Sequence, residues 1–182
     1  MVYIGILRGK KVAIKQKHPC SQARGRIGNE AKFLKILNGH GIGPTLICYE
    51  RQKLVYCFVE GVRILDYLKS ANRKQSINAI KKVFEQCFIM DQLGINKHEM
   101  TNPYKHVLVK KEPVQIDFER CNYSDKPKNV TQFCQFVSGG KVAEILKTKS
   151  IRLNRSQILA AAKAYKKSIC KKRFEKLISL VN

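Results

Sequence analysis

INKHEMTNPYKHVLVKKEPVQIDFE, residues Ile95–Glu119, is the stretch whose reading decides the fold. It runs as a polar turn, a short apolar strand (Val107, Leu108, Val109), a basic turn over Lys110–Pro113, a second short strand (Val114, Gln115, Ile116) and then an acid, Asp117. Two strands this short with a tight polar turn between them predict a hairpin. That arrangement brings Asp117 to one strand end and the loop Lys97–His106 to the start of the other. Polar side chains gathered where loops meet rigid strands are a common way of building a site. Taken alone, the pattern favours a surface hairpin with a solvated aspartate.

Working outward toward the amino end, residues 1–20 predict two strands, with a turn at Arg8-Gly9-Lys10 and Val12-Ala13-Ile14-Lys15 on the second. Ala31, Phe33, Leu34, Ile36 and Leu37 recur at helical spacing over Asn29–Leu37, with Glu30 in the early part, and Gly39, Gly41 and Gly43-Pro44 stop the pattern. Thr45–Tyr49 and Leu54–Val59 predict two more strands around the turn Glu50–Lys53. Glu60-Gly61 then breaks the apolar run, which places a boundary between residues 1–61 and 62–182.

Beyond the boundary the pattern is helical. A short helix is predicted from Ile64 to Lys69. A longer one from Gln75 to Leu93 carries Ile77, Ile80, Phe84, Cys87 and Phe88 on one face, and Gly94 closes it. After the central stretch come helices near Val130–Val137 and Val142–Lys147, separated at Gly139-Gly140. A final long helix is expected from an N-cap at Ser156 to about Val181, with Ile158, Ala162, Tyr165, Ile169, Phe174, Leu177 and Val181 as its buried stripe. Lys163, Lys166, Lys167, Lys171, Lys172 and Arg173 fall mainly on its other faces, and Lys149, Arg152 and Arg155 precede it. From Cys121 onward there are 14 Lys and Arg against three acids.

That asymmetry runs through the whole chain. In 182 residues, 36 basic side chains face 13 acidic ones, a formal charge of +23. A polyanionic partner is the leading explanation, nucleic acid ahead of a membrane surface. A thermophile's lysine-rich surface would carry matching glutamate, which is missing here. Seven cysteines without a C-x-x-C pair argue against a zinc site and for reduced thiols in a cytoplasmic protein. The absence of a secretory segment or a long apolar run points to a soluble chain without membrane attachment.

The order of these pieces resembles the protein-kinase-like fold: an α+β, two-lobe architecture with a reduced amino-terminal sheet and one helix, then a mainly helical second lobe. The residues that carry the resemblance are Val12-Ala13-Ile14-Lys15, Glu30 on the following helix, Lys97-His98-Glu99 in the place of H-x-D, and Asp117-Phe118-Glu119 in the place of D-F-G. Only Gly5 and Gly9 precede Lys15, so the Gly-rich loop of kinases is absent or shortened. More specifically, Gly41-Ile42-Gly43-Pro44, Asn102-Pro103-Tyr104-Lys105-His106-Val107, Ile116–Glu119 and Asn129-Val130-Thr131 are similar to a small archaeal RNA-kinase family, itself like shrunken RIO-type atypical kinases.

The resemblance implies an ATP- and Mg²⁺-dependent phosphotransferase whose acceptor is the ribose 2′-hydroxyl of a tRNA variable-region uridine, at position 47. It implies that Lys15 contacts nucleotide phosphates, that Glu30 orients Lys15, that the adenine meets the backbone near Glu60, and that Asp117 binds Mg²⁺. Glu99 would orient or deprotonate the hydroxyl, with His98 and Lys105 as alternatives for handling it. His106, in the place of the kinase Asn, is either a second metal ligand or a hydrogen-bonding side chain. The carboxy-terminal cations, together with Lys105 of the central stretch, would hold tRNA, and a monomer is expected. Two other readings stay open: a RIO-like protein serine/threonine kinase, and an inactive kinase-like module that binds RNA.

Overall fold

The computed structural model describes residues 1–17 and 25–182. The predicted position of Cys20 lies outside the described residues; the other six cysteines are free thiols. In chain order the elements are β1 (Val2–Leu7), β2 (Lys10–Gln16), α1 (Arg26–Asn38), β3 (Leu46–Glu50), β4 (Lys53–Cys57), β5 (Val62–Arg63), α2 (Ile64–Ser70), α3 (Arg73–Gln92), β6 (Ile95–Asn96), a 3₁₀ turn at Pro103–Lys105, β7 (Val107–Val109), β8 (Pro113–Gln115), β9 (Asn122–Tyr123), α4 (Asn129–Val137), α5 (Gly140–Lys147), α6 (Arg155–Lys167) and α7 (Lys171–Ile178). The fold is mixed α+β: an antiparallel four-stranded sheet with a helix, then a largely helical region. The chain divides into two compact units, Met1–Glu60 with Val114–Cys121, and Gly61–Pro113 with Asn122–Asn182. The sequence placed its boundary one residue later and did not foresee that Val114–Cys121 belongs with the first unit.

The sheet of the first unit has the order β1-β2-β4-β3. Both of its hairpins turn where left-handed backbone is available, at Arg8-Gly9 (φ 48° and 73°) and at Arg51-Gln52 (φ 49° and 63°). β2 is a central strand, pairing Ile4 with Ala13 on one side and Tyr56 with Ala13 on the other, and its Val12 and Ala13 are buried. α1 buries Ile27, Ala31, Phe33, Leu34 and Leu37. After the helix, Gly43 adopts φ 83°, and a Cβ there would come within 2.8 Å of Leu34 and 2.9 Å of the Phe118 ring. Glycine at this position thus answers both a backbone and a packing demand.

α3 is the axis of the second unit. Asn72 opens it with a reciprocal capping box to Gln75, and Gly94, at φ 66°, closes it. Its buried face carries Ala79, Ile80, Val83, Phe84, Cys87 and Phe88, while Ile77 is only half-buried. Aromatic contacts fasten the neighbouring helices to it. Phe84 meets Phe133 of α4 edge to face at 4.7 Å, and Phe88 stacks on Phe174 of α7 at 4.3 Å.

The single carboxy-terminal helix expected from the sequence is two helices. α6 starts one residue before Ser156, and Asn154 is its cap, accepting the Gln157 amide with its side chain. The chain is extended at Ser168 and Cys170 before α7 begins. The buried stripe explains the break. Ile158, Ala162 and Tyr165 keep the spacing of one helix face, but the step from Ile169 to Phe174 is five residues. A continuous helix would carry Phe174 and Leu177 off the core. The interruption resets the phase so that both are buried. Arg173 then bonds the Ala164 carbonyl at 2.6 Å, satisfying a carbonyl near the end of α6. Among the described residues, no helix is long and apolar enough to cross a membrane.

Candidate functional site

In the first unit, β2 delivers Lys15, α1 delivers Glu30, and the chain after β8 delivers Asp117 and Glu119. Lys15 Nζ lies 2.6 Å from Glu30 Oε2, 2.8 Å from Asp117 Oδ1 and 3.0 Å from Glu119 Oε2. Lys15 lies two residues after Ala13 of the buried run Val12-Ala13, and its side chain is 13% exposed. Glu30 is almost fully buried and also accepts the Phe118 amide at 3.3 Å. Burial works to lower the Lys15 pKa, but the charges and hydrogen bonds of Glu30 and Asp117 outweigh it and hold the ammonium firmly protonated. Burial raises the Glu30 pKa against the pull of Lys15.

Asp117 sits at φ 65°, a left-handed conformation that Asp tolerates better than most residues. The Asn29 side chain fixes the segment by donating to the Glu119 and Cys121 carbonyls at 2.9 and 2.8 Å, and Arg26 lies 3.2 Å from Glu119. Glu30, Asp117 and Glu119 each offer a carboxylate oxygen, all within 4.8 Å of one another. Carboxylate oxygens are the hard donors that Mg²⁺ takes, so the chemistry of this set suits that ion. The Lys15 ammonium lies among the same oxygens. Glu60 is elsewhere, an exposed side chain 3.8 Å from Lys11, a surface pair of small energetic weight.

The second unit holds the loop that follows β6. Ile95 and Asn96 pair with Tyr123 and Asn122 of β9. His98 takes φ 68° and its ring meets the Asn122 side chain. Glu99 is half-buried, with an oxygen 3.4 Å from His106 Nδ1, which the 3₁₀ turn at Pro103–Lys105 brings back toward it. His106 thus stands beside the residue expected to act as the acid. Lys105 is exposed. Lys163, Lys166, Lys167, Lys171, Lys172, Arg152 and Arg155 are exposed as well. Lys149 differs: its ammonium bonds the Lys69 and Ala71 carbonyls at the end of α2, which gives it a structural task.

Under this loop lies a polar network that the sequence reading did not contain. Asn129 Oδ1 accepts the Lys97 amide at 2.8 Å, and Asn129 Nδ2 donates to the Ile95 carbonyl at 2.6 Å and to Asp91 Oδ1 at 2.8 Å. Asp91 also accepts the Asn129 and Val130 amides at 3.0 and 3.2 Å and the Tyr165 hydroxyl at 3.1 Å. Burial pushes the Asp91 carboxyl up to about 6, against the pull of these bonds. Asp91 thereby caps α4, whose own N-cap, Lys128, supplies no side-chain bond. An acid on a buried helix face was the available signal, since such a residue needs partners. Glu119 and Arg26 were likewise unassigned; Glu119, two residues after Asp117, was the detectable one.

No family model matches the chain, and no curated protein matches it.

Proposed function

We propose that this chain is an ATP-dependent RNA kinase of two-lobed, kinase-like design, transferring the γ-phosphoryl group to the ribose 2′-hydroxyl of a tRNA variable-region uridine. The observation that supports it most is the convergence of Lys15, Glu30 and Asp117, of which Lys15 and Asp117 are 102 residues apart in sequence. A lysine held by a buried glutamate beside an aspartate on strained backbone is the arrangement that positions nucleotide phosphates and their metal. Asp117 would hold Mg²⁺, with Glu119 as a further oxygen donor; the ion neutralises charge on the phosphate oxygens when bound. Lys15, released from Asp117 and Glu119, would contact the phosphates, and Glu30 would keep it oriented. Glu99 would take the proton as the ribose oxygen forms its bond to the γ-phosphorus and ADP leaves. His106 beside Glu99 would hold that carboxylate in place. The charge of +23 supports a phosphate-rich acceptor.

The test is incubation with γ-labelled ATP, Mg²⁺ and bulk tRNA, followed by mapping of the label. Transfer to one tRNA nucleotide is expected, abolished by Asp117→Asn while tRNA binding persists. Label in added protein instead of RNA would identify a RIO-like protein kinase, and ATP binding without transfer an inactive RNA-binding module.

A further inference from the structure

The network beneath the loop reaches further than α4. Tyr165 belongs to α6, the helix that carries exposed Lys163, Lys166 and Lys167, and its hydroxyl bonds Asp91 Oδ2 from a fully buried position. The opposite oxygen of Asp91 holds the Asn129 side chain, and that side chain holds the Lys97 amide. Lys97 is two residues before Glu99, and the left-handed turn at His98 lies between them. Asn129 grips the segment from both directions, donating to the Ile95 carbonyl and accepting from the Lys97 amide. Asn96 adds a parallel tie, its side chain accepting the Lys128 amide at 2.9 Å. Asp91, Asn96, Lys97, Asn129 and Tyr165 are all buried.

We infer that Asp91 is a positioning residue for the loop that carries Glu99, acting through Asn129, and that Tyr165 ties this loop to the basic helix α6. The inference rests on the reading of Glu99 as the acid that meets the acceptor hydroxyl. The physical case is one of over-determination. The Asn129 amide has two donor hydrogens and one oxygen, and it can reach the loop from both sides only if its plane is fixed. Its two hydrogens go to Asp91 and to the Ile95 carbonyl, which settles which end is oxygen and turns that oxygen toward Lys97. Without the Asp91 carboxylate the side chain loses the partner that selects this orientation. Asp91 is in turn held by two amides at the amino end of α4, where the helix dipole favours a negative charge, and by the Tyr165 hydroxyl. A displacement of α6 would therefore be felt at Glu99 through three successive hydrogen bonds. The same helix offers its cations to a polyanion, so acceptor binding and loop order share one element.

Tyr165→Phe is the test, because it removes one hydroxyl and leaves the ring against Phe88. Two readouts are needed: amide-resolved hydrogen exchange of the free protein, and steady-state transfer to bulk tRNA. The expected result is exchange at Lys97 faster by about tenfold, the scale of one lost charge-assisted bond, with the α3 amides of Val83 and Phe84 unchanged. The turnover number should fall about as much while KM for ATP stays the same. Asp91→Asn should move both readouts the same way and further, and Tyr165→Leu should reproduce the selective exchange if the hydroxyl is what matters. Exchange that stays constant at Lys97, or that rises equally across α3, would reduce Asp91 to a core residue and overturn the inference. So would selective exchange with undiminished turnover. Failure of the kinase reading is distinguishable, since it appears in the wild-type protein as absence of transfer and leaves the exchange result to stand on its own.

Discussion

Lys15, Glu30 and Asp117 each sit in a short local pattern: a lysine ending an apolar strand, an early acid on the following helix and an acid after a short strand. Each pattern is weak alone, and the structure brings the three side chains together. For Asp91 the local signal, an acid on a buried helix face, shows only that partners are needed; what it and Asn129 do depends on contacts 38 residues apart in sequence. Gly43 lies between these cases. The run Gly41-Ile42-Gly43-Pro44 announces a turn, yet it does not say which glycine is constrained by packing. The structure separates them: both have positive φ, but a Cβ on Gly41 would meet nothing within 4 Å, whereas on Gly43 it would strike Leu34 and Phe118. Gly43→Ala is therefore expected to cost about 2–4 kcal/mol, combining strained backbone with overpacking, and Gly41→Ala only about 1 kcal/mol. Urea unfolding of the two variants checks the difference. Equal losses would mean that Leu34 and Phe118 give way.

Among the elements, the helices up to α5 and the strands longer than two residues appear where the apolar periodicity put them, within two residues at each end except at α1, which starts at Arg26 instead of Asn29. The two-residue strands β5, β6 and β9 were not foreseen. The sequence failed at the last helix, and the failure is instructive. A stripe of seven apolar residues suggested one long helix, but the five-residue step after Ile169 was the sign of two. The choice of cap went wrong by the same route: Ser156 and Asn154 both suit the position, and composition does not choose between them. In the structure Asn154 accepts the Gln157 amide while the Ser156 hydroxyl bonds the Asn154 side chain. Asn154→Ala should then destabilise the protein by about 1 kcal/mol, lowering Tm by about 2–4 °C, and Ser156→Ala by less than about half as much. Calorimetry on the two variants decides it; a larger loss from Ser156→Ala would restore the serine as the cap.

At the scale of the whole molecule the outstanding property is charge, and the helix break gives it a location. Lys166 and Lys167 end α6, and Lys171 and Lys172 begin α7, so four cations lie on either side of a short extended link, all exposed. Lys166 and Lys167 complement the negative end of the α6 dipole. The first turn of α7, by contrast, contains no acid, so Lys171 and Lys172 oppose the positive end of that helix dipole, against an exposed Lys171–Glu175 pair at 3.9 Å of small weight. A fold that selected only for its own stability would place acids in that turn. The arrangement becomes favourable when phosphates of a bound RNA lie against both the lysines and the helix amides. Replacing Lys166, Lys167, Lys171 and Lys172 by Gln should thus change the unfolding free energy by no more than about 1 kcal/mol, since the α6 pair and the α7 pair act on their helix dipoles with opposite sign. The same variant should bind all tRNAs more weakly and flatten the salt dependence, each lost phosphate contact removing about 0.7 to 0.9 from the slope of log affinity against log salt. Transfer at saturating tRNA should change far less, because none of these lysines belongs to the Lys15–Asp117 cluster or the Glu99 loop. Titrations of labelled tRNA at several salt concentrations, run beside a denaturant curve, measure both effects. An unchanged slope would show that these four lysines are a solvated face and that the acceptor is held by other cations.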